Sequence, residues 1–132
     1  MIQTRGIAHF TISVSDTVKS EAFYCDVLGL RSLAANHERG MVFRDSGGDC
    51  MVLARSEAGI APVNVRLAHH AFVVDHDSYG DAVSEIRDRG IEIILEDERD
   101  DGVVNGRSAY FADPDGNVLE IIDLVRYTGA ES

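Results

Sequence analysis

Residues 6–16 read GIAHFTISVSD and residues 67–76 read LAHHAFVVDH, so a histidine opens an alternating apolar stretch twice within 132 residues. Alternation at period two is typical of a strand with one buried face. Helical spacing of apolar residues follows each stretch, with Asp16 as the predicted N-cap of the first helix and Gly29 at its end. The second helix is predicted over about 77–90. The chain is therefore predicted to contain an internal duplication.

The similarity of the two halves continues beyond the helices. An F-x-D-x-x-G turn begins at Phe43 and again at Phe111, and each turn leads into a last strand, DCMVLAR in the first half and NVLEIID in the second. The segments RSLAA and GMVFRD are predicted strands of the first half, and IEIIL and RSAYFA are those of the second. Each half therefore predicts a strand, a helix and three further strands.

This order of elements predicts an α+β fold made of two βαβββ modules whose curved mixed sheets form a concavity. Module one is expected over about 5–56, a linker over 57–64 and module two over about 65–126, all within a single domain spanning 1–132. One helix covers only one face of a four-stranded sheet, so the other face requires a second sheet, from the same chain or from a partner.

Strand alternation predicts which side chains share the concave face. His9 and Thr11 lie on that face in the first module, and His69 lies on it in the second, so that His70 faces the helix. Glu120 interrupts the apolar run VLEII and points into the same concavity. A buried carboxylate requires a cation or a hydrogen-bonding partner, and the neighbouring sequence offers no Lys or Arg.

Two histidines and one glutamate thus occupy matching places in a duplicated frame. Two neutral imidazoles and a carboxylate are a common ligand set for a divalent metal. Each residue also has a simpler interpretation, because His9 or His69 can be a hydrogen-bonded core or rim residue and Glu120 can face solvent on an edge strand. Taken together, the three residues predict a metal-binding concavity.

The charge of the chain restricts its partners. A formal net charge of -11 argues against nucleic acid and anionic membrane, both of which are bound mainly through Lys and Arg. No apolar run approaches the roughly 20 residues that would span a bilayer. The first residues, MIQTRGIAHF, lack the pattern of a secretory leader, so a cytoplasmic location is expected. The expected partner is a small-molecule substrate.

Five motifs of the chain, AHFTISVSD, FYCDVLGL, HHAFVV, RDRGIEI and YFADPDGNVLEIID, resemble the vicinal oxygen chelate superfamily of glyoxalases, bleomycin resistance proteins and extradiol dioxygenases. The resemblance covers nearly the whole sequence. Metal ligands in that superfamily come from the first strand of each module and the last strand of the second, which implies His9, His69 and Glu120. A fourth ligand, where present, comes from the last strand of the first module, where aligning the last strands places Ala54 opposite Glu120.

The resemblance also implies roles for three hydroxyl-bearing residues. Tyr110, Ser108 and Thr11 match positions that contact the phosphonate in the fosfomycin-resistance transferases. Ser108 and Tyr110 alternate on one strand, with a core tyrosine and a structural serine as the alternative. A basic cluster is expected around a phosphonate, but only Arg107 and Arg126 are nearby in sequence, which argues against fosfomycin as the substrate.

A facial ligand set with open positions predicts an enzyme that binds its substrate through two vicinal oxygens. The first expectation is a dioxygenase using Fe(II), with Mn(II), Zn(II) or Ni(II) as alternative metals. The alternative functions are a metal-dependent transferase, lyase or isomerase of the fosfomycin-resistance type, or a non-catalytic protein that binds a drug-like molecule. The superfamily commonly pairs modules between chains, which implies a homodimer whose sites combine His9 of one subunit with His69 and Glu120 of the other.

Overall fold

The structure, a computed structural model, describes residues 1–3, 5–57 and 68–127. The chain divides into two compact units, Met1–Ala61 and Pro62–Ser132. Apart from Glu57, the predicted linker over 57–64 lies outside the described residues.

The first unit contains a four-stranded mixed sheet and one helix. Its sheet has the order β1-β4-β3-β2, with β1 parallel to β4 and the other neighbours antiparallel. Asp16 caps the helix by accepting the N–H groups of Val18 and Lys19, and Gly29 ends it in the left-handed conformation, as predicted. The elements are β1 (His9–Val14), α1 (Thr17–Leu28), β2 (Arg31–Asn36), β3 (Met41–Ser46) and β4 (Asp49–Arg55).

The second unit repeats this order of elements. Its sheet has the order β5-β8-β7-β6, in which β5 runs parallel to β8, and the short β9 pairs with β7. The α+β fold class with two mixed sheets is therefore confirmed. The elements are β5 (His70–Val73), a 3-10 turn (His76–Ser78), α2 (Tyr79–Asp88), β6 (Leu95–Arg99), β7 (Val104–Ala112), β8 (Val118–Ile122) and β9 (Arg126–Tyr127).

Two predicted boundaries in the second unit are wrong. The segment IEIIL was expected to be a strand over 91–95, but β6 begins only at Leu95 and continues to Arg99. The N–H of Ile91 instead donates to the carbonyl of Ile86 and completes the end of α2, whereas the N–H of Ile94 already donates to the Tyr110 carbonyl on β7. The helix begins at Tyr79 rather than near residue 77, because the preceding residues form the 3-10 turn.

The predicted alternation is confirmed in both first strands. Ile12 and Val14 are buried, whereas His9 and Thr11 on the other face of β1 are exposed. In β5, Phe72 is buried, and its neighbours on either side are exposed. The period-two pattern of the sequence therefore identifies the faces of these strands correctly.

The register of the last strands differs from the sequence alignment. Glu120 pairs with Ala71, which lies two residues after His69. In the first unit, the residue two positions after His9 is Thr11, and it pairs with Val52. Ala54 pairs with Ser13, two residues further along β1, so it lies on the same face as His9 but is not the counterpart of Glu120. The sequence similarity of the two last strands could not determine this register, which depends on pairing with a strand distant in sequence.

The face of the second sheet toward α2 carries an ionic cluster around one buried carboxylate, that of Asp123. Asp123 is 2% exposed, and its carboxylate accepts hydrogen bonds from the Arg107 backbone N–H (2.5 Å) and side-chain Nε (2.7 Å). His76 Nδ1 lies 2.8 Å from the same carboxylate, and the Arg107 guanidinium lies 4.5 Å from the ring centroid of Tyr79. The cluster therefore ties the start of α2 and the turn before it to β7 and β8.

The pKa of Asp123 reflects this environment. Burial acts to raise the pKa, but the hydrogen bonds and positive charge of Arg107 and the hydrogen bond to His76 outweigh it, so that the pKa lies below its ordinary value. The carboxylate therefore takes up a proton more readily in the unfolded chain than in the folded one. Its contribution to stability is present above the unfolded pKa and is lost as the pH falls through the folded pKa.

We predict that Asp123→Asn lowers the free energy of unfolding by about 2 kcal/mol near neutral pH, because the partly exposed Arg107 loses a charged hydrogen-bond partner. The difference between wild type and variant should shrink steadily below pH of about 4. Urea unfolding at a series of pH values measures this difference. A difference that stays constant down to the acid limit would contradict the assignment.

Candidate metal-binding pocket

A pocket of about 280 Å³ lies within the second unit, on the face of its sheet that carries Ser108, Tyr110 and Glu120. All four long strands of the sheet, or the residues beside them, contribute to it. Because side chains alternate along each strand, the opposite face carries Arg107 and His70 instead. The lining residues are His69, Ala71, Asp97, Arg99, Val104, Gly106, Ser108, Tyr110, Glu120 and Ile122.

Glu120 is the buried charged group of this pocket. It is 5% exposed and lies on β8, which is flanked by β5 and β7, so the alternative of an exposed position on an edge strand is wrong. Its Oε1 lies 3.1 Å from Nε2 of His69, and its Oε2 accepts a hydrogen bond of 2.7 Å from the Ser108 hydroxyl. Both carboxylate oxygens are therefore held by named partners.

The aromatic ring of Tyr110 completes this end of the pocket. Tyr110 pairs with Glu120 across β7 and β8, and its ring meets the His69 ring edge to face, with centroids 5.2 Å apart. Tyr110 is 9% exposed, so the ring acts as a wall of the pocket. The structure thus brings together four of the predicted site residues: the proposed metal ligands His69 and Glu120 and the proposed catalytic residues Ser108 and Tyr110.

The adjacent histidines differ in environment, as the alternation predicts. His70 faces the α2 side of the sheet, where burial lowers its pKa, assisted by the nearby charge of His69 and opposed by that of Asp113. His69 faces the pocket. The assignment of His69 rather than His70 to the pocket is therefore confirmed.

The remaining two predicted residues, His9 and Thr11, belong to the first unit. Both are exposed on β1, where they pair with Cys50 and Val52. Within either unit, the described residues bring no three His, Cys, Asp or Glu side chains together as a metal-binding group. The second unit supplies two of the three predicted ligands, and the contribution of His9 stays a prediction.

The geometry of His69 and Glu120 fits a shared metal ion. Metal–ligand bonds of about 2.0 to 2.2 Å at roughly right or tetrahedral angles place two donor atoms about 3 Å apart. The distance between the two donor atoms is 3.1 Å. The Ser108 hydroxyl donates a hydrogen bond to the other carboxylate oxygen of Glu120. Hydrogen bonds of this kind fix the orientation of a carboxylate that binds a metal.

Sequence reasoning missed the wall that β6 supplies. Asp97 and Arg99 line the pocket, and the Arg99 Nε donates a 3.1 Å hydrogen bond to Asp97. Alternation would have placed both on the pocket face if the strand had been assigned to the correct residues. Of the two arginines noted in the sequence, Arg107 bonds to Asp123 on the other face, and Arg126 donates to the Asp100 carbonyl.

The chain belongs to the Glyoxalase/Bleomycin resistance protein/Dioxygenase superfamily, whose model matches residues 6–121. Metallothiol transferase FosB of Staphylococcus haemolyticus is 29% identical over 119 residues, covering 89% of this chain and 82% of the relative. Glutathione transferase FosA of Serratia marcescens is 28% identical over 120 residues, covering 89% and 79%. Biphenyl-2,3-diol 1,2-dioxygenase 3 of Rhodococcus globerulus is 30% identical over 135 residues, covering 92% and 64%.

Solved structures support the fold assignment. The fosfomycin resistance protein FosX of Listeria monocytogenes superposes with a TM-score of 0.78 at 22% identity, covering 93% of this chain and 94% of that one. A variant of FosX crystallised with Mn(II) and 1S,2S-dihydroxypropylphosphonic acid superposes with a TM-score of 0.76 at 22% identity, covering 92% and 91%. Neither helix in the described part of the chain has the length and apolar character needed to cross a bilayer.

We predict that His69→Ala and Glu120→Ala abolish stoichiometric divalent-metal binding, whereas Ser108→Ala weakens it about tenfold by freeing the carboxylate. His70→Gln is the matched control, because this neighbouring histidine faces the other side of the sheet. Metal content after gel filtration and titration with Mn(II) measure both effects. Loss of metal in the His70 variant and retention in the His69 variant would reverse the assignment of the two faces.

Proposed function

We propose that this protein is a divalent-metal-dependent enzyme that activates an oxygen-bearing small molecule toward attack by a nucleophile, as in the fosfomycin-resistance type of reaction. The observation that carries the proposal is the 3.1 Å approach of His69 and Glu120 in a pocket, with the second carboxylate oxygen fixed by Ser108. Sequence similarity to metallothiol and glutathione transferases over most of the chain supports group transfer or addition ahead of oxygen chemistry.

His9, His69 and Glu120 are the proposed metal ligands. The bound ion would supply Lewis acidity and a template for substrate oxygens. Mn(II) is the first metal to test because a FosX structure contains it, and Fe(II), Zn(II) and Ni(II) follow. Ser108 holds the carboxylate in place, which leaves the Tyr110 side chain and the exposed Thr11 hydroxyl as the proposed contacts to substrate.

The charges of the pocket bear on the choice of substrate. Arg99 is the cationic side chain of the pocket, and its hydrogen bond to Asp97 offsets its charge. A dianionic phosphonate would therefore meet less positive charge than a basic cluster provides. We infer a substrate of lower charge than fosfomycin. We also propose that the protein acts in the cytoplasm.

A dioxygenase is the second candidate. Similarity at 30% identity to a biphenyl-2,3-diol 1,2-dioxygenase favours it, although this chain covers 64% of that relative. Two histidines and one glutamate are also the ligand set of Fe(II) oxygenases. The two candidates differ in whether the Mn(II) form adds a nucleophile or the Fe(II) form consumes oxygen.

We predict that the Mn(II)-loaded protein opens an epoxide with water, cysteine or glutathione as nucleophile, and that it opens the uncharged styrene oxide in preference to the dianionic fosfomycin and epoxysuccinate. Glu120→Gln should lower the rate at least about 100-fold because the metal is lost or misplaced. Substrate consumption is followed by NMR. Ring cleavage of a catechol by the Fe(II) form, with no epoxide opened, would favour the dioxygenase, and metal binding without either reaction would favour a non-catalytic binder.

The proposed third ligand implies an assembly that can be tested directly. We propose a homodimer in which His9 of one subunit joins His69 and Glu120 of the other. Mixing His9→Ala chains with Glu120→Ala chains should then restore about half of the sites in each mixed dimer, because one site regains three intact ligands. Metal content of isolated mixed dimers measures this. Sites contained within single chains would show no recovery.

A further inference from the structure

The pocket of the second unit has two chemically different ends. One end holds His69 and Glu120, the apolar side chain of Ile122 lies next to it beside Ser108, and Val104 lies at the other end. Ile122 is 4% exposed and forms part of the floor, whereas Val104 is 44% exposed at the margin. The pocket therefore offers metal-coordinating groups at one end and apolar surface at the other.

Strand β9 extends this apolar end. Tyr127 pairs directly with Val104 across β7 and β9, and cross-strand partners present their side chains on the same face. Tyr127 is 51% exposed, so much of its side chain remains accessible next to Val104. Together they form an apolar margin, defined here as Val104 and Tyr127, that continues the lining of the pocket outward.

One position of the floor, Gly106, carries no side chain. Gly106 lies between Ser108 and Val104 on the pocket face of β7. Its φ of +147° and the 2.7 Å separation that a Cβ would have from the Asp123 carbonyl oxygen both exclude a larger residue. A ligand bound at Glu120 can therefore extend over bare backbone toward the apolar margin.

The path is longer than a single aromatic ring and has room for a tail of more than one ring. Four residues separate Ser108 from Val104, which corresponds to about 13 Å along a strand. The wall from β6 presents Asp97 and Arg99 as a hydrogen-bonded pair whose opposite charges offset each other. An uncharged tail thus meets no net charge on this wall, and its apolar contacts are Ile122, Val104 and Tyr127.

We propose that the substrate of this site carries oxygen donors at one end and an apolar tail of more than one ring at the other, and that Val104 and Tyr127 bind the tail. This inference rests on the metal site proposed above and adds the class of molecule that the site accepts. Val104 and Tyr127 are thereby specificity-determining residues, distinct from the groups that hold the metal.

The test uses calorimetric titration of the full-length Mn(II)-loaded protein with acetohydroxamate, benzohydroxamate and 4-phenylbenzohydroxamate. All three share one chelating group and differ only in the tail. Each ring should tighten the dissociation constant about tenfold, since burying an aryl face removes apolar area from water. In Val104→Ser and in Tyr127→Ser, the gain from the second ring should fall below about threefold.

The matched control is Val103→Ser, because Val103 is 68% exposed but does not line the pocket. This variant should keep the full gain from each ring. Equal affinities across the three hydroxamates, or an undiminished gain in both pocket variants, would overturn the inference while leaving the metal site intact, since acetohydroxamate reports on the metal alone. Absence of metal-dependent binding by every hydroxamate would overturn the proposed metal site and this inference with it.

Discussion

The burial of one carboxylate on an interior strand is the constraint on which the second unit depends. Glu120 is 5% exposed on β8, so the adjacent strands must supply most of its hydrogen-bonding partners. Ser108 on β7 donates to one oxygen, and His69 beside β5 approaches the other. The strand order β5-β8-β7 is what places these partners on opposite sides of the carboxylate.

The same sheet separates two sets of charged groups by means of strand alternation. Ser108 and Glu120 face the pocket, whereas Arg107 turns to the α2 side and bonds to Asp123. The arginine nearest to the site in sequence is therefore committed to holding the helix end against the sheet. The cation that does line the pocket, Arg99, comes from β6 and is held by Asp97. The charge of the pocket thus follows from register rather than from proximity in the sequence.

The duplication explains both the similarity of the two units and their difference. Each unit has a histidine at or just before the start of its first strand, and this strand pairs in parallel with the last strand of the unit. The position of the first unit that is equivalent to Glu120 in this pairing holds Val52. Neither Val52 nor Ala54 can coordinate a metal, so the first unit offers no counterpart to the glutamate at either position. A single carboxylate leaves open coordination positions, as the proposed activation of a substrate by the metal requires.

The sequence by itself determined the module order and the faces of β1, β5 and β8, because the side-chain period of two is a local property that a single strand displays in full. Only the tertiary structure decided the register of β8 against β5, the start of β6 and therefore the presence of Asp97 and Arg99 in the pocket. Those features depend on hydrogen bonds between strands far apart in the chain, and a short apolar segment such as IEIIL is compatible with more than one pairing until its neighbour is in place.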